Sequence, residues 1–195
     1  MDVRSLMRRS VVFHRDELAV IESEHRLTYG EAWARGLRLA NGLLAMGLEP
    51  GDRIGVLEDN TFESVDLFCA AAIANLVRVP LYPRNSPEAH HHMLEHTGCR
   101  AVVVSESHRD ALAGSQEAVA SLEHVLVRDG SYERWLSEQS DSDPDVDVDR
   151  DDWFVIRHTG GTTGKSKGVG YTHKTWLDTG RDWFYSFPPV QRGDV

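Results

Sequence analysis

The chain has 195 residues, of which 41% are hydrophobic and 27% are charged, as is ordinary for a globular protein with its own core. Its formal net charge of −10 argues against a nucleic-acid backbone or an anionic membrane as the main partner. No apolar run approaches the roughly 20 residues of a membrane-spanning helix, and the N-terminus lacks the apolar stretch of a signal peptide. Two widely spaced cysteines, Cys69 and Cys99, favour a reduced, cytoplasmic protein.

The first part of the chain predicts a short helix, a hairpin and a longer helix. The hairpin strands are expected at 18–21 and 26–28. Thr28 and Glu31 have the spacing of a capping box, in which each side chain accepts a hydrogen bond from a backbone N–H at the start of the helix. Gly47 is well placed to end that helix in a left-handed conformation.

Short apolar strands alternate with helices from residue 52 onward. Strands are predicted at 52–57, 77–81, 101–104 and 124–127. Helices are predicted between them at 60–76 with Asn60 as N-cap, at 87–97 after Ser86, and at about 107–120. The strands are continuous apolar runs, as expected when both faces of a sheet are buried. This order predicts an α/β fold with a mainly parallel sheet flanked by helices, and the following sheet residues are expected in its core: Ile54, Val56, Val79, Val102, Val103 and Val104.

An aspartate-rich stretch, DSDPDVDVDRDD, occupies residues 141–152. We interpret it as a solvated linker that self-repulsion extends. A calcium loop of the EF-hand type is the alternative, but Val146 stands where that loop needs glycine and Asp152 where it needs glutamate. The linker predicts three segments: an α/β subdomain at 1–140, the linker itself, and a β-hairpin with a following helix at 153–195.

A loop rich in glycine, threonine and lysine, TGGTTGKSKG, is predicted between short strands at 153–156 and 169–172. Glycine lets the backbone approach a ligand closely, and successive N–H groups then converge on an anion. The threonine hydroxyls and the lysines add donors and positive charge that suit a chain of phosphates. The sequence therefore predicts a polyphosphate-binding loop, with these candidate contacts: Thr159, Gly160, Gly161, Thr162, Thr163, Gly164, Lys165 and Lys167.

Two other interpretations of this loop differ in how well they fit. The common P-loop of NTPases does not fit, because Thr159 stands where that motif has glycine and no helix follows the Lys165-Ser166 pair. A glycine-rich hairpin without a ligand is the alternative, although a plain turn needs neither the lysines nor the threonines.

The loop resembles the phosphate-binding signature of the adenylate-forming, or AMP-binding, superfamily, which includes acyl-CoA synthetases, firefly-type luciferases and the adenylation domains of peptide synthetases. The family pattern is roughly T-S-G-T-T-G-x-P-K-G-V, followed by Thr-His or Ser-His. Gly160 replaces the usual serine and Ser166 the usual proline. The segments at 27–29, 47–54 and 70–88 resemble the family's opening segments, with Asn75 where glycine is usual.

This resemblance implies the N-terminal fragment of an ATP-dependent carboxylic acid:CoA ligase, similar to fatty-acyl-CoA synthetases. It implies ATP, Mg²⁺ and coenzyme A as cofactors, an acyl-adenylate intermediate, and a loop that holds the β- and γ-phosphates. Lys165 and Lys167 would make the charged contacts, and Thr162 and Thr163 the hydroxyl contacts. The alternatives are an enzyme that loads a carrier protein, a non-catalytic nucleotide-binding module, and an interaction module.

The resemblance also implies that much of the active site lies outside this chain. The acyl pocket, the adenine and ribose contacts, the carboxylate that helps to hold magnesium and the C-terminal domain with its catalytic lysine would all follow residue 195. The catalytic residues are therefore unknown, and the isolated chain is expected not to form acyl-adenylate at a useful rate.

Histidines form two further groups of candidates. His92 and His96 lie four residues apart on one predicted helix, beside His90 and His91, and therefore share a face that suits a metal. No third ligand is evident, so a solvated helix face is the favoured interpretation. Two more histidines flank the phosphate loop and either contact a nucleotide or acyl group or pack at a strand end: His158 and His173.

Overall fold

The computed structural model describes residues 1–160 and 165–186, without the side chain of Phe184. The N-terminal part contains helix α1, a β1–β2 hairpin and the long helix α2: Val3–His14, Leu18–Glu22, His25–Thr28 and Tyr29–Ala45. Strands and helices then alternate as β3, α3, β4, α4 and β5: Arg53–Leu57, Ser64–Ile73, Val77–Pro80, Pro87–Thr97 and Cys99–Ser105. A 3₁₀ helix, α5, β6 and α6 follow: Glu106–Leu112, Ser115–Ala118, His124–Arg128 and Tyr132–Ser137. After the acidic stretch come β7, β8 and α7: Trp153–His158, Gly168–Thr172 and His173–Ser186.

A six-stranded sheet forms the centre of the described part of the chain, in the order β6-β5-β3-β4-β7-β8. Neighbouring strands run parallel except β8, which is antiparallel to β7. The predicted α/β fold with a mainly parallel sheet is therefore confirmed. The predicted sheet residues are each no more than 4% exposed: Ile54, Val56, Val79, Val102, Val103 and Val104.

Hydrophobic cores lie on both faces of this sheet. Ile54, Val56 and Val103 belong to the core under α2 and α3. Leu57 and Val102 belong to the core under α4 and the 3₁₀ helix. Burying one such side chain stabilises the fold by about 1.5–3 kcal/mol. The two cores explain why the strands read as continuous apolar runs rather than alternating ones.

Helices α2 and α3 approach each other closely because one of their contact positions has no side chain. A Cβ added at Gly36 would lie only 2.2 Å from the Cβ of Cys69 on α3. Any larger residue at position 36 would force the helices apart. Glycine in a helix costs about 1 kcal/mol relative to alanine, and the close packing of the two helices offsets that cost.

Local signals account for where two of the helices begin and end. The capping box of α2 is present: the N–H of Glu31 donates to the Thr28 hydroxyl at 3.2 Å, and the N–H of Thr28 donates to the Glu31 carboxylate at 2.7 Å. Helix α4 begins after Ser86, whose hydroxyl accepts from the N–H of Ala89 at 3.4 Å. It ends at Gly98, which has a left-handed φ of 62°.

Two helix predictions were wrong in their bounds. Asn60 does not cap α3, which begins at Ser64 after a turn in which the N–H of Ser64 donates to the Thr61 carbonyl at 3.0 Å. The helix predicted at 107–120 is a 3₁₀ helix followed by the short α5. Gly114 lies between them with a φ of +73°, which interrupts the helical backbone.

The acidic stretch at 141–152 contains neither helix nor strand. It is tied to the rest of the chain at Asn75, whose amide donates to the Asp152 carboxylate at 2.7 Å and to the Asp147 carbonyl at 3.3 Å. Asn75 has a φ of 53°, a conformation that glycine and asparagine adopt most readily. Asparagine can therefore adopt the left-handed backbone conformation at this position, where the family pattern has glycine. The three-segment division of the chain stays a prediction.

Candidate functional site

The predicted phosphate loop leaves the sheet at the carboxyl ends of its parallel strands. Strand β7 runs parallel to β4, so His158 at the end of β7 lies beside the residues that follow β4. The hydroxyl of Tyr82, just after β4, donates to the His158 carbonyl. The loop then returns as the antiparallel strand β8, as the sequence predicted. Open α/β sheets bind ligands at this edge.

Two hydrogen bonds close the base of the loop. The N–H of Thr159 donates to the Lys167 carbonyl at 2.9 Å, and the N–H of Lys167 donates to the Thr159 hydroxyl at 3.2 Å. The side chains of Lys165 and Lys167 are exposed, as is Gly160. The structure therefore brings four of the predicted contacts together at one end of the hairpin. The remaining four lie outside the described residues: Gly161, Thr162, Thr163 and Gly164.

A cavity of about 420 Å³ separates the described arms of the loop from helix α4. The loop side of the cavity is formed by these residues: Thr159, Gly160, Lys165 and Ser166. The opposite side includes Tyr82, Asn85, Glu88 and His92. The lining therefore combines hydrogen-bond donors and acceptors with a lysine, and it leaves room for a polar ligand beside the loop.

The histidines of α4 have different environments, so the prediction of a solvated helix face was wrong for His90. That side chain is fully buried, with Nε2 2.9 Å from the Tyr82 carbonyl oxygen. His92 lies against the loop instead, with Nε2 3.2 Å from the carbonyl oxygen of Ser166. The described residues contain no group of three or more His, Cys, Asp or Glu side chains that could hold a metal ion. Sequence reasoning missed the contact between His92 and the loop.

The two histidines that flank the loop are both buried. His173 is 0% exposed and lies 4.8 Å from the ring of Phe154 between ring centroids, and its Nδ1 accepts from the N–H of Val3 at 3.3 Å. His173 therefore packs at the start of α7. His158 is 3% exposed, and within the described part of the chain neither of its ring nitrogens has a hydrogen-bond partner.

Burial, together with the nearby His96 and His92, lowers the pKa of His158 to about 4. The folded protein therefore keeps His158 neutral at pH values where the unfolded chain already binds a proton, since an unperturbed histidine has a pKa of about 6.5. We expect the free energy of unfolding to fall as the pH falls from about 6.5 to about 4, with His173, whose pKa is also lowered by burial, acting in the same direction.

Urea denaturation of the chain between pH 7.5 and pH 4 measures this dependence. His158→Leu is expected to flatten it, because leucine fills the buried position without a titrating group. His124→Leu on the edge strand β6 is the matched control and is expected to leave the dependence unchanged. An equal slope in the wild-type and His158→Leu proteins would contradict the prediction.

Comparison with known proteins identifies the family. A sequence model described as AMP-binding enzyme matches residues 7–195. The chain belongs to the AMP-binding enzyme family. The resemblance seen in the phosphate loop and in the opening segments is therefore confirmed.

Two relatives with similar sequences are described as a CoA synthase and a CoA ligase. A feruloyl-CoA synthase of an Amycolatopsis species is 34% identical over 152 residues, which cover 77% of this chain and 29% of that protein. Long-chain-fatty-acid–CoA ligase FadD13 of Mycobacterium tuberculosis is 30% identical over 161 residues, covering 81% of this chain and 32% of that protein. The chain thus spans about a third of the length of these relatives.

A solved structure supports the fold. The inhibitor-bound N-terminal domain of FACL13 from Mycobacterium tuberculosis matches with a TM-score of 0.92 and 24% identity, over 98% of this chain and 49% of that chain. The AMP-binding chain therefore shares its α/β architecture with that domain. In the part of the chain that the structure describes, no helix is both long enough and apolar enough to cross a membrane.

Proposed function

We propose that this chain carries the phosphate-binding part of an ATP-dependent carboxylic acid:CoA ligase similar to fatty-acyl-CoA synthetases. One observation carries the proposal: a loop rich in glycine and lysine departs from the carboxyl end of β7, and its base is closed by the Thr159–Lys167 hydrogen bonds. The two relatives named above are described as a CoA synthase and a CoA ligase, which supports coenzyme A as the acceptor.

In the proposed reaction, a carboxylate oxygen of the acid attacks the α-phosphorus of ATP. The bond from that phosphorus to the bridging oxygen breaks, and its electron pair leaves with pyrophosphate. The thiol of coenzyme A then attacks the acyl carbon, loses its proton and displaces AMP. The loop's task is to neutralise the charge that builds up on the departing pyrophosphate.

The proposed phosphate contacts are the loop residues that the sequence singled out. The ammonium groups of Lys165 and Lys167 supply charge, and the remaining residues supply backbone N–H or hydroxyl donors: Thr159, Gly160, Gly161, Thr162, Thr163 and Gly164. None of these groups is a nucleophile or base in the reaction, so we assign no catalytic residue to this chain.

Magnesium accompanies ATP in this proposal, bound mainly to the substrate phosphates. Mg²⁺ usually keeps several waters and uses only one or two protein carboxylates beside phosphate oxygens. The described arms of the loop offer lysines and a threonine rather than carboxylates. We therefore assign no residue of this chain to the metal.

The cysteines support a reducing compartment, and we propose the cytoplasm. Cys69 and Cys99 are both free and buried. Burial raises the pKa of Cys69 to about 12 and that of Cys99 to about 11, so both thiols stay protonated at neutral pH. Neither thiol therefore serves as a nucleophile in the reaction.

Calorimetric titration of the full-length protein that contains this chain with MgATP tests the proposal. We expect ATP to bind at least about tenfold more tightly than AMP, because the β- and γ-phosphates add charge-assisted hydrogen bonds that AMP lacks. Inorganic tripolyphosphate is expected to compete with ATP, since the loop recognises phosphates and not the base. Failure of ATP to bind, or equal affinity for ATP and AMP, would contradict the proposed function.

A further inference from the structure

Helix α4 is held in one rotational position, and this determines what His92 faces. On its buried side, Met93 and Leu94 are both 0% exposed in the core beside β5. The ring of His90 is fixed in the same direction, with its two nitrogens 2.9 Å from the Tyr82 carbonyl oxygen and 3.4 Å from that of Ala111. The core contacts therefore turn His92 toward the phosphate loop.

The contact between His92 and the loop has a defined hydrogen-bond direction. The carbonyl oxygen of Ser166 only accepts, so Nε2 of His92, 3.2 Å away, carries the hydrogen. The imidazole of His96 stacks on that of His92 with 5.5 Å between ring centroids and 22° between planes. This stacking restricts the plane of the donor ring.

Ser166 lies between the two lysines of the loop, where the backbone needs an external support. The hydrogen bonds at the base reach only Thr159 and Lys167. A proline at position 166 would fix its own φ, whereas serine leaves it free. The hydrogen bond to the Ser166 carbonyl therefore adds a restraint on the course of the arm that carries Lys165.

We propose that His92 is a positioning residue for the phosphate loop: its imidazole N–H holds the Ser166 carbonyl and orients the arm that carries Lys165 and Lys167 for polyphosphate binding. This inference rests on the proposed function. His92 acts through the backbone of Ser166 and not by contact with the phosphates. By holding the arm before ATP arrives, it reduces the conformational entropy that the loop loses on binding.

Calorimetric titration with MgATP of three variants of the full-length protein that contains this chain tests this role. His92→Leu is expected to weaken binding by about two- to tenfold, the contribution of one hydrogen bond. His92→Gln is expected to retain most of the affinity, because its amide N–H can donate to the same carbonyl. His91→Leu is the matched control on the same helix and is expected to bind as the wild type does. Affinity for inorganic tripolyphosphate is expected to fall by the same factor as affinity for ATP.

Two further measurements separate positioning from a general loss of structure. The urea midpoint of His92→Leu is expected to stay close to that of the wild type. Nitrogen NMR of the imidazole is expected to show the hydrogen of His92 on Nε2 at neutral pH. A neutral ring protonated only at Nδ1 would contradict the inference, as would unchanged ATP affinity in His92→Leu. Absence of ATP binding by the wild-type full-length protein would instead contradict the proposed function.

Discussion

Alanine in place of Lys167 is expected to slow acyl-adenylate formation by about 30- to 1,000-fold in the full-length ligase that contains this sequence, a loss of about 2–4 kcal/mol of transition-state stabilisation. The reason is the negative charge that moves onto the pyrophosphate as its bond to the α-phosphorus breaks. An ammonium group held against those oxygens gains more in the transition state than in bound ATP. The rate of ATP–pyrophosphate exchange with a saturating carboxylic acid measures this effect, and Lys165→Ala is expected to act in the same direction but more weakly.

The same substitution is expected to change the free energy of unfolding by less than about 0.5 kcal/mol. The Lys167 side chain is exposed, and the two hydrogen bonds with Thr159 that close the loop use only the backbone of residue 167. Alanine preserves both bonds. A denaturant midpoint measured beside the exchange rate therefore separates a lost phosphate contact from a lost fold.

Lys174 provides a matched control, since it is the only lysine of the sequence outside the loop. Its ammonium group lies 2.8 Å from the Asp178 carboxylate on the surface of α7. Lys174→Ala is expected to keep the exchange rate within about twofold of the wild-type rate. Only a surface ion pair is lost, and such pairs contribute about 0–1 kcal/mol to the stability of the fold. If Lys167→Ala retains full activity, or loses it only by unfolding, the loop is a structural turn and not a phosphate site.

The sequence predicted those elements whose signals lie within a few residues of each other. The capping box of Thr28 and Glu31 and the left-handed Gly98 are two examples. In each, the groups that form hydrogen bonds lie only three or four residues apart in the sequence. The alternating order of strands and helices predicted the parallel sheet, and the continuous apolar runs of the strands indicated that both of its faces are buried. Both faces of the central strands are covered, so successive residues of β3 and β5 are buried.

The start of α3 was not predicted, because the turn before it combines local hydrogen bonds of Ser64 with a contact from the distant hairpin. The Ser64 hydroxyl donates to the Asp59 carbonyl at 3.1 Å and accepts from the N–H of Thr61 at 3.3 Å. The N–H of Phe62 donates to the carboxylate of Glu22 in the hairpin at 2.6 Å. These bonds hold the segment after Asp59 in a turn, so the favourable cap at Asn60 is not used.

The candidate site also combines residues that the sequence indicates with a contact that only the fold shows. Its loop residues are proposed from their types, since glycine, threonine and lysine together suit a polyphosphate, and their contacts with phosphate stay a prediction. The support from His92 was not predictable, because it reaches Ser166 across 74 positions of the sequence. The helical spacing of His92 and His96 indicated that the two side chains share a face, but only the fold shows that this face meets the loop.

Leucine in place of Arg35 is expected to lower the free energy of unfolding by about 3–5 kcal/mol. The guanidinium joins three helices: on one edge it donates to the Asp66 carboxylate of α3 at 2.7 and 2.8 Å, and on the other to Glu133 of α6 at 2.6 and 2.8 Å. Asp66 is 0% exposed, and its other partner is the Tyr132 hydroxyl at 3.0 Å. Removing Arg35 therefore leaves a carboxylate buried without a counter-charge.

Two further variants show whether the buried charge is the cause of this loss. Glu133→Gln is expected to cost less than about 1 kcal/mol, because the Glu133 side chain is 56% exposed and water solvates its charge. The double variant Arg35→Leu with Asp66→Leu is expected to recover most of the loss, since it removes the buried carboxylate together with its partner. Urea denaturation at pH 7 measures all three proteins. If the double variant is as unstable as Arg35→Leu alone, the contribution of Arg35 comes from its packing between α2, α3 and α6, and the charge of Asp66 is not the cause.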